Sequence, residues 1–183
     1  MTIAAPGGRH IEVLFNEAKI AACNDRLAGE ILAGDPQNLL VIAVLKGSFV
    51  FAADLARALH RAGAAPEIEF IHLSSYREAM VSSGQVSILR DVETDVMGRD
   101  VLLVDDILES GRTLAFAKDL IMARGAQKVL SCVLLDKPGK RAAHIEADYV
   151  GFECPDHFVV GYGMDMAHSF RQLPFIGHVV SDN

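Results

Sequence analysis

The length, composition and charge of this chain already exclude several classes of protein. Its 183 residues suit one domain with a full hydrophobic core, and 51% hydrophobic with 22% charged residues is typical of a globular protein, not a disordered or fibrous one. The net charge of −7 argues against a general nucleic-acid binder, and no apolar run is long enough to span a bilayer. Without a signal-like pattern near its start, the sequence predicts a cytoplasmic protein of a single domain, residues 1–183.

The first elements are a strand and a helix. Residues 1–10 include Pro6, Gly7 and Gly8 and predict a mobile tail, whereas residues 11–15 predict a short strand. Asn16 is a suitable N-cap for a helix with its apolar residues at helical spacing, closing near Gly34.

A buried strand follows. Residues 39–45, LLVIAVL, are apolar without alternation, which indicates a strand covered on both faces. Lys46 and Gly47 come directly after it, so this strand is expected to end in a loop that can contact an anion. Ser48 is the predicted N-cap of a helix ending by Gly63.

The middle of the chain holds a predicted lid. Residues 67–73 indicate a third strand, and residues 86–89 a possible return strand. Between them, residues 74–85 read SSYREAMVSSGQ, a polar stretch with only single apolar residues. A loop of this length in a compact domain is usually a lid or a binding loop.

The strongest chemical signal starts at residue 101. Residues 101–104 predict another fully buried strand, and Asp105 and Asp106 follow where that strand is expected to leave the sheet. Ligands of open α/β sheets bind at the carboxyl ends of the strands. The positions that then lead into a helical pattern are Glu109, Ser110, Gly111, Arg112 and Thr113.

This loop has the features of a site for a phosphorylated sugar. A helix start offers free N–H groups and the positive end of the helix dipole, which suits a phosphate. The neighbouring carboxylates would repel that phosphate unless sugar hydroxyls or a divalent cation lay between them. The residue types therefore indicate a sugar phosphate bound with Mg²⁺.

The remaining chain repeats the alternation of strands and helices. A helix is predicted up to Gly125, and the later strand segments are residues 129–135, 147–152, 158–160 and 175–180. Strands alternating with helices predict an α/β fold with a mostly parallel central sheet flanked by helices.

Five motifs, taken together, resemble the hypoxanthine-guanine, purine-salvage branch of the type I phosphoribosyltransferase family. In chain order they are LKG at residues 45–47, SY at 75–76, VLLVDDILESGRT at 101–113, LDKP at 135–138, and VGFECPDHFVVGYGMD at 150–165 followed by FR at 170–171. The resemblance implies the type I fold, with a small hood built from the N-terminal segment and roughly residues 136–183. It also implies transfer of the phosphoribosyl group of 5-phosphoribosyl-1-diphosphate (PRPP) to N9 of hypoxanthine or guanine, giving IMP or GMP and pyrophosphate, with Mg²⁺.

The resemblance assigns roles to individual residues. The 5-phosphate would bind to Ser110, Gly111, Arg112 and Thr113, and the ribose hydroxyls would bind to Asp105 and Asp106. The pyrophosphate would contact Lys46, Gly47 and Arg171, and the lid would contain Ser75 and Tyr76. The purine would contact Lys137, Phe158, Val159 and Asp165, and the metal would lie near Asp165, Asp105 and Asp106. The implied protein is a homodimer or homotetramer that binds neither nucleic acid nor membrane.

One departure from the family pattern concerns the proposed general base. Glu109 stands where the purine branch usually carries an aspartate; it keeps the carboxylate but adds a methylene. Three alternatives share the fold: a xanthine-preferring enzyme, an RNA-binding pyrimidine-operon regulator, and a PRPP-binding relative without catalysis. The LDKP and VGYGMD motifs and the acidic charge favour the hypoxanthine-guanine branch, with Glu109 active.

Overall fold

Six strands form the central sheet of the computed structural model, which describes residues 3–75 and 86–181. In chain order the elements are β1 (Ile3–Ala5), β2 (Arg9–Phe15), α1 (Glu17–Ala33), β3 (Leu40–Leu45), α2 (Phe49–Arg61), β4 (Glu67–Ser75), β5 (Val86–Arg90), β6 (Asp100–Leu108), α3 (Arg112–Ala123), β7 (Lys128–Asp136), a short 3₁₀ helix (Pro138–Lys140), β8 (Tyr149–Glu153), β9 (Val159–Val160) and β10 (Ile176–Ser181). The central sheet has the order β5-β4-β3-β6-β7-β8.

The central sheet is parallel except for its edge strand β5, which pairs antiparallel with β4. Helices α1 and α2 cover one face and α3 covers the other, so each face has its own hydrophobic cluster. Burial from both sides explains the unbroken apolar run of β3, whose residues 40–44 are all buried. The predicted α/β fold with a mostly parallel sheet is confirmed.

The two predicted N-caps have different outcomes. The Asn16 side chain accepts a hydrogen bond from the Lys19 N–H at 2.9 Å and α1 ends beside Gly34, as predicted. Ser48 occupies the N-cap position of α2, as predicted, but its hydroxyl makes no capping hydrogen bond. The hydroxyl donates instead to the Val44 carbonyl at 2.5 Å, which holds the loop after β3 against the end of that strand.

Both ends of the described chain meet in a second, antiparallel sheet of order β1-β2-β10-β9. The prediction of a mobile tail over residues 1–10 was therefore wrong. Gly7 and Gly8 both take positive φ values and turn the chain so that β1 pairs with β2. The glycines that suggested mobility are the residues that allow a tight hairpin.

The acid pair lies inside a strand, not after one as predicted. Strand β6 loses its partner β3 after Val104, but it continues beside β7 as far as the pairing of Leu108 with Asp136. Asp105 and Asp106 therefore lie on a strand that has one neighbour and one open edge. The loop after β3 and this open edge of β6 both line the cavity described below.

The predicted lid lies largely outside the described residues. Strand β4 extends to Ser75, so the start of the predicted loop belongs to the sheet, and residues 76–85, which include Tyr76, are not among those described. Over residues 3–75 and 86–181, no helix has the length and apolar character needed to cross a membrane.

Candidate active site

A cavity of about 1080 Å³ opens at the carboxyl edge of the central sheet, facing the second sheet. It brings together fourteen predicted site residues: Lys46, Gly47, Asp105, Asp106, Glu109, Ser110, Gly111, Arg112, Thr113, Lys137, Phe158, Val159, Asp165 and Arg171. Of the two lid residues, Ser75 is described only as the last residue of β4, and Tyr76 lies outside the described residues.

The acid pair forms the floor of the cavity. The Asp105 carboxylate accepts the N–H of Asp106, and the Asp106 carboxylate accepts the N–H of Ile107, each at 2.9 Å. Burial raises the pKa of Asp105 well above its usual range, and the charge of Asp106 adds to this effect. Burial also raises the pKa of Asp106, while the positive charge of Arg171 opposes that rise. Hydroxyl donors or a cation in the cavity would stabilise these carboxylates.

Gly47 packs directly against the acid pair. A Cβ atom at this position would lie 1.7 Å from Oδ2 of Asp106, closer than any real side-chain contact. The loop after β3 can therefore reach the acid pair only because residue 47 has no side chain. The preceding peptide bond, between Leu45 and Lys46, is cis.

The start of α3 forms the predicted anion site. Gly111 precedes the helix with φ +79°, and the Ala115 N–H is the first to bond back, to the Gly111 carbonyl at 2.9 Å. The N–H groups of Arg112, Thr113 and Leu114 therefore have no partner within the helix, and all three residues line the cavity.

A segment that the sequence analysis missed supports this loop from behind. Arg141 donates to the Glu109 carbonyl at 3.0 Å and pairs with the Asp136 carboxylate. The Ser110 carbonyl accepts the N–H groups of residues 142 and 143, at 2.9 and 3.0 Å. A Cβ on Gly111 would lie 2.6 Å from the side chain of Ile145. The loop of residues 109–111 is thus fixed by residues about thirty positions later in the chain. No local sequence pattern predicts these long-range contacts.

The opposite wall carries the predicted purine contacts. Lys137 is only 7% exposed, and its ammonium donates to the His157 carbonyl at 2.5 Å. The same ammonium lies 3.8 Å from the Glu109 carboxylate, which is also 3.9 Å from the ammonium of Lys140. The Phe158 ring is 57% exposed at the cavity, so a flat ligand can stack on it.

Asp165 and Arg171 are joined at the third side of the cavity. Their side chains pair at 2.7 Å, and Arg171 also donates to the Gly163 carbonyl at 2.7 Å. The other carboxylate oxygen of Asp165 accepts the His168 N–H at 2.7 Å. This arrangement places a guanidinium beside the acid pair without leaving its charge unpaired.

Comparison with known proteins agrees with this geometry. A model of the phosphoribosyl transferase domain matches residues 10–167. The chain belongs to the phosphoribosyltransferase family. Its relatives include the hypoxanthine phosphoribosyltransferase of Escherichia coli strain K12, 38% identical over 173 residues, which are 93% of this chain and 96% of that one.

Two further relatives place the chain in the hypoxanthine-guanine branch of the phosphoribosyltransferases. The crystal structure of a hypoxanthine-guanine phosphoribosyltransferase from Bacillus anthracis superposes with a TM-score of 0.85 and 41% identity, covering 94% of this chain and 99% of that one. The bifunctional protein TilS/HprT of Listeria innocua is 46% identical over 167 residues, 91% of this chain. This chain spans about a quarter of that protein's length, 25%. The resemblance inferred from the motifs is confirmed.

The donor set of this phosphoribosyltransferase site suits Mg²⁺ only together with a ligand. In the part of the chain that the structure describes, no three His, Cys, Asp or Glu side chains converge as a metal site. Asp105, Asp106 and Asp165 nevertheless line one cavity and offer the carboxylate oxygens that Mg²⁺ prefers. Because Mg²⁺ is usually held by one or two carboxylates plus substrate oxygens and water, these residues fit an ion that arrives with a diphosphate.

Proposed function

We propose that this chain catalyses the Mg²⁺-dependent transfer of the phosphoribosyl group of PRPP to N9 of hypoxanthine or guanine, giving IMP or GMP and pyrophosphate. The observation that carries the proposal is one cavity with three kinds of wall. They are a helix N-terminus for a phosphate, an acid pair with Asp105 buried and Asp106 half-buried for a ribose, and an exposed aromatic ring beside a buried lysine for a purine. The hypoxanthine phosphoribosyltransferase relatives support it.

The sugar phosphate is bound by the acid pair and the start of α3. The N–H groups of residues 113 and 114 and the hydroxyls of Ser110 and Thr113 bind the 5-phosphate, together with the Arg112 N–H, which contacts the Ser110 hydroxyl at 3.4 Å. The ribose hydroxyls donate to Asp105 and Asp106, which relieves part of the cost of burying two carboxylates side by side.

The pyrophosphate lies between Lys46 with Gly47 on one side and Arg171 on the other. When bound, Mg²⁺ neutralises the charge that develops on the diphosphate, and Asp105, Asp106 and Asp165 would hold it. The cations Lys46 and Arg171 stabilise the same developing charge from the protein side. Ser75, the last residue of β4, leads into the segment that we propose as a lid excluding water from the activated sugar.

The purine stacks on Phe158, and the Val159 backbone contacts its edge. The Lys137 ammonium donates to the 6-oxygen, while Asp165 lies near the same base. As the N9–C1 bond forms, the C1–O bond to pyrophosphate breaks, and Glu109 accepts the proton that the purine loses at N7. Two ammonium groups within 4 Å of Glu109 keep its carboxylate close to the base site.

The test is pyrophosphate release from PRPP and Mg²⁺ with hypoxanthine, guanine or xanthine supplied in turn. We expect turnover with hypoxanthine or guanine and the matching nucleotide as product. A preference for xanthine would change the assigned substrate, and no release with any base would refute the proposal. Arg57→Ala is a suitable control, because Arg57 forms an exposed ion pair with Asp54 outside the cavity.

We further propose that the protein self-associates as a homodimer or homotetramer and acts in the cytoplasm on small molecules, without nucleic acid or membrane. Light scattering of the purified protein distinguishes the two assemblies from a monomer. A mass equal to that of the single chain at working concentration would refute the assembly.

A further inference from the structure

A tight turn at residues 161–164 lies beside the pyrophosphate side of the site. Gly161 and Met164 exchange N–H to carbonyl hydrogen bonds at 3.0 Å in both directions. The two central residues, Tyr162 and Gly163, both have positive φ, +50° and +101°. This is the requirement of a type I′ turn, in which both central positions favour Gly, Asn or Asp.

Tyr162 is therefore an unexpected residue at its position. A left-handed backbone conformation is unfavourable for a residue that has a side chain, and it persists only when the surroundings hold it. Tyr162 is 4% exposed, and its hydroxyl donates to the Asp54 carboxylate at 2.6 Å while accepting from the Asn24 amide at 2.9 Å. Two helices, α1 and α2, thus hold this one side chain by its far end.

The phenol is well suited to remain a donor in this network. Burial raises the pKa of Tyr162, and the hydrogen bond to Asp54 raises it further. The hydroxyl therefore keeps its proton at neutral pH and can donate it to the hydrogen bond with Asp54.

Gly163, the residue that follows Tyr162, contacts two of the three predicted pyrophosphate ligands, Gly47 and Arg171. A Cβ on Gly163 would lie 2.2 Å from the Gly47 carbonyl oxygen, so the turn packs directly on the loop after β3. Gly163 also exchanges two hydrogen bonds with Arg171: its carbonyl accepts from the guanidinium at 2.7 Å, and its N–H donates to the Arg171 carbonyl at 2.9 Å.

We propose that Tyr162 is a positioning residue whose hydroxyl, held by Asp54 and Asn24, fixes the 161–164 turn so that Gly47 and Arg171 keep the geometry required for the diphosphate. The proposal rests on the proposed function, since it deepens the pyrophosphate subsite of the same cavity. The purine wall is held by other contacts, such as the bond from Lys137 to the His157 carbonyl. Loss of the Tyr162 anchor should therefore affect diphosphate ligands more than bases.

The experiment compares Tyr162→Phe with two substitutions of its partner. Asp54→Ala removes the acceptor, whereas Asp54→Asn retains an oxygen that can accept from the phenol. We expect Tyr162→Phe and Asp54→Ala to raise the KM for PRPP, and the KM for pyrophosphate in the reverse reaction, by about ten-fold, the equivalent of one buried hydrogen bond to a charged group. The KM for hypoxanthine should stay within about two-fold, and Asp54→Asn should restore most of the loss.

Arg57→Ala is the matched control, because it removes the exposed partner of Asp54 without touching Tyr162. Equal rises in the KM for all substrates, or unchanged pyrophosphate KM values in Tyr162→Phe and Asp54→Ala, would overturn the proposal. If Tyr162→Phe does not fold, the pair of Asp54 variants on the helix surface decides the question alone. Failure of the proposed function is separate: the wild type would then show no turnover, and calorimetry of pyrophosphate binding to the wild type and the variants would still test the anchor.

Discussion

Replacing Gly47 with alanine is the most direct probe of how the loop after β3 meets the acid pair. The added methyl group would lie 1.7 Å from Oδ2 of Asp106, whereas real contacts of this kind do not fall below 3.0 Å. Gly47 does not have a positive φ in the structure, so the substitution introduces no left-handed strain there. The whole effect should therefore come from displacement of the Asp106 carboxylate or of the loop.

The size of the effect follows from that displacement. Either group must move by more than about 1 Å, and misplacement of a binding group by 1 Å can cost about 100-fold in rate, or about 2.7 kcal/mol in transition-state stabilisation. Movement of the carboxylate also weakens its bond with the Ile107 N–H, which is worth about 1 kcal/mol. For a domain of this size that lowers the Tm by about 2–4 °C.

The assay is kcat/KM for PRPP together with thermal unfolding, measured for Gly47→Ala and for Gly139→Ala. Gly139 is the control, because a Cβ there would meet nothing within 4 Å. Asp106→Ala removes the obstructing oxygen, so adding Gly47→Ala to it should lower the Tm no further. Equal kcat/KM values for the two glycine variants, or fully additive losses in the double variant, would refute the steric reasoning.

Three other substitutions test the remaining walls of the cavity. Glu109→Gln should lower kcat by about 100-fold or more, since it removes a general base, and unchanged turnover would exclude that role. Asp105→Asn should raise the Tm at pH 7. Because the pKa of Asp105 is raised in the folded state, the ionised carboxylate destabilises the fold at neutral pH. This destabilisation disappears as the pH falls below the raised pKa towards the ordinary value of 3.8, where Asp105 is protonated in the folded and the unfolded chain. A Tm gain that is independent of pH would contradict this. Arg141→Met should raise the KM for PRPP by about ten-fold, because the Glu109 carbonyl and Asp136 lose their hydrogen-bond partner. Arg141→Lys keeps the charge and should raise this KM by less. Unaltered KM values in both variants would show that Arg141 does not hold the loop.

The central sheet was predictable because its strands are buried on both faces. Burial from two sides removes alternation, so β3 and the first half of β6 stand out in the sequence as unbroken apolar runs. The rule that ligands bind at the carboxyl ends of parallel strands then predicts that Lys46 and Asp105 lie at one edge of the sheet. These inferences succeed because each depends on residues close together in the chain.

The failures have the opposite origin. Strand β1 has three residues, too few for a periodic pattern, and is ordered through a sheet completed by β10 from the other end of the chain. Arg141 acts on a loop thirty-two positions earlier, and Tyr162 bonds to a residue 138 positions away. Ser48 has the right residue type for a cap, but a carbonyl four residues earlier competes successfully for its hydroxyl. Tertiary contacts decided the first three of these features, whereas a local hydrogen bond decided the Ser48 hydroxyl.

Two of the cations that face the proposed ligands, Lys137 and Arg171, are already bonded to protein acceptors. Lys137 donates to the His157 carbonyl, and Arg171 donates to the Gly163 carbonyl and pairs with Asp165. A buried cation without partners would destabilise the fold, so these bonds let the cavity keep positive charge before any ligand arrives. Because an ammonium carries three N–H donors and a guanidinium five, each cation can bind a ligand acceptor without giving up these bonds. Selectivity then comes from whether the ligand atom that meets the cation is an acceptor, since a donor at that point would be left unsatisfied.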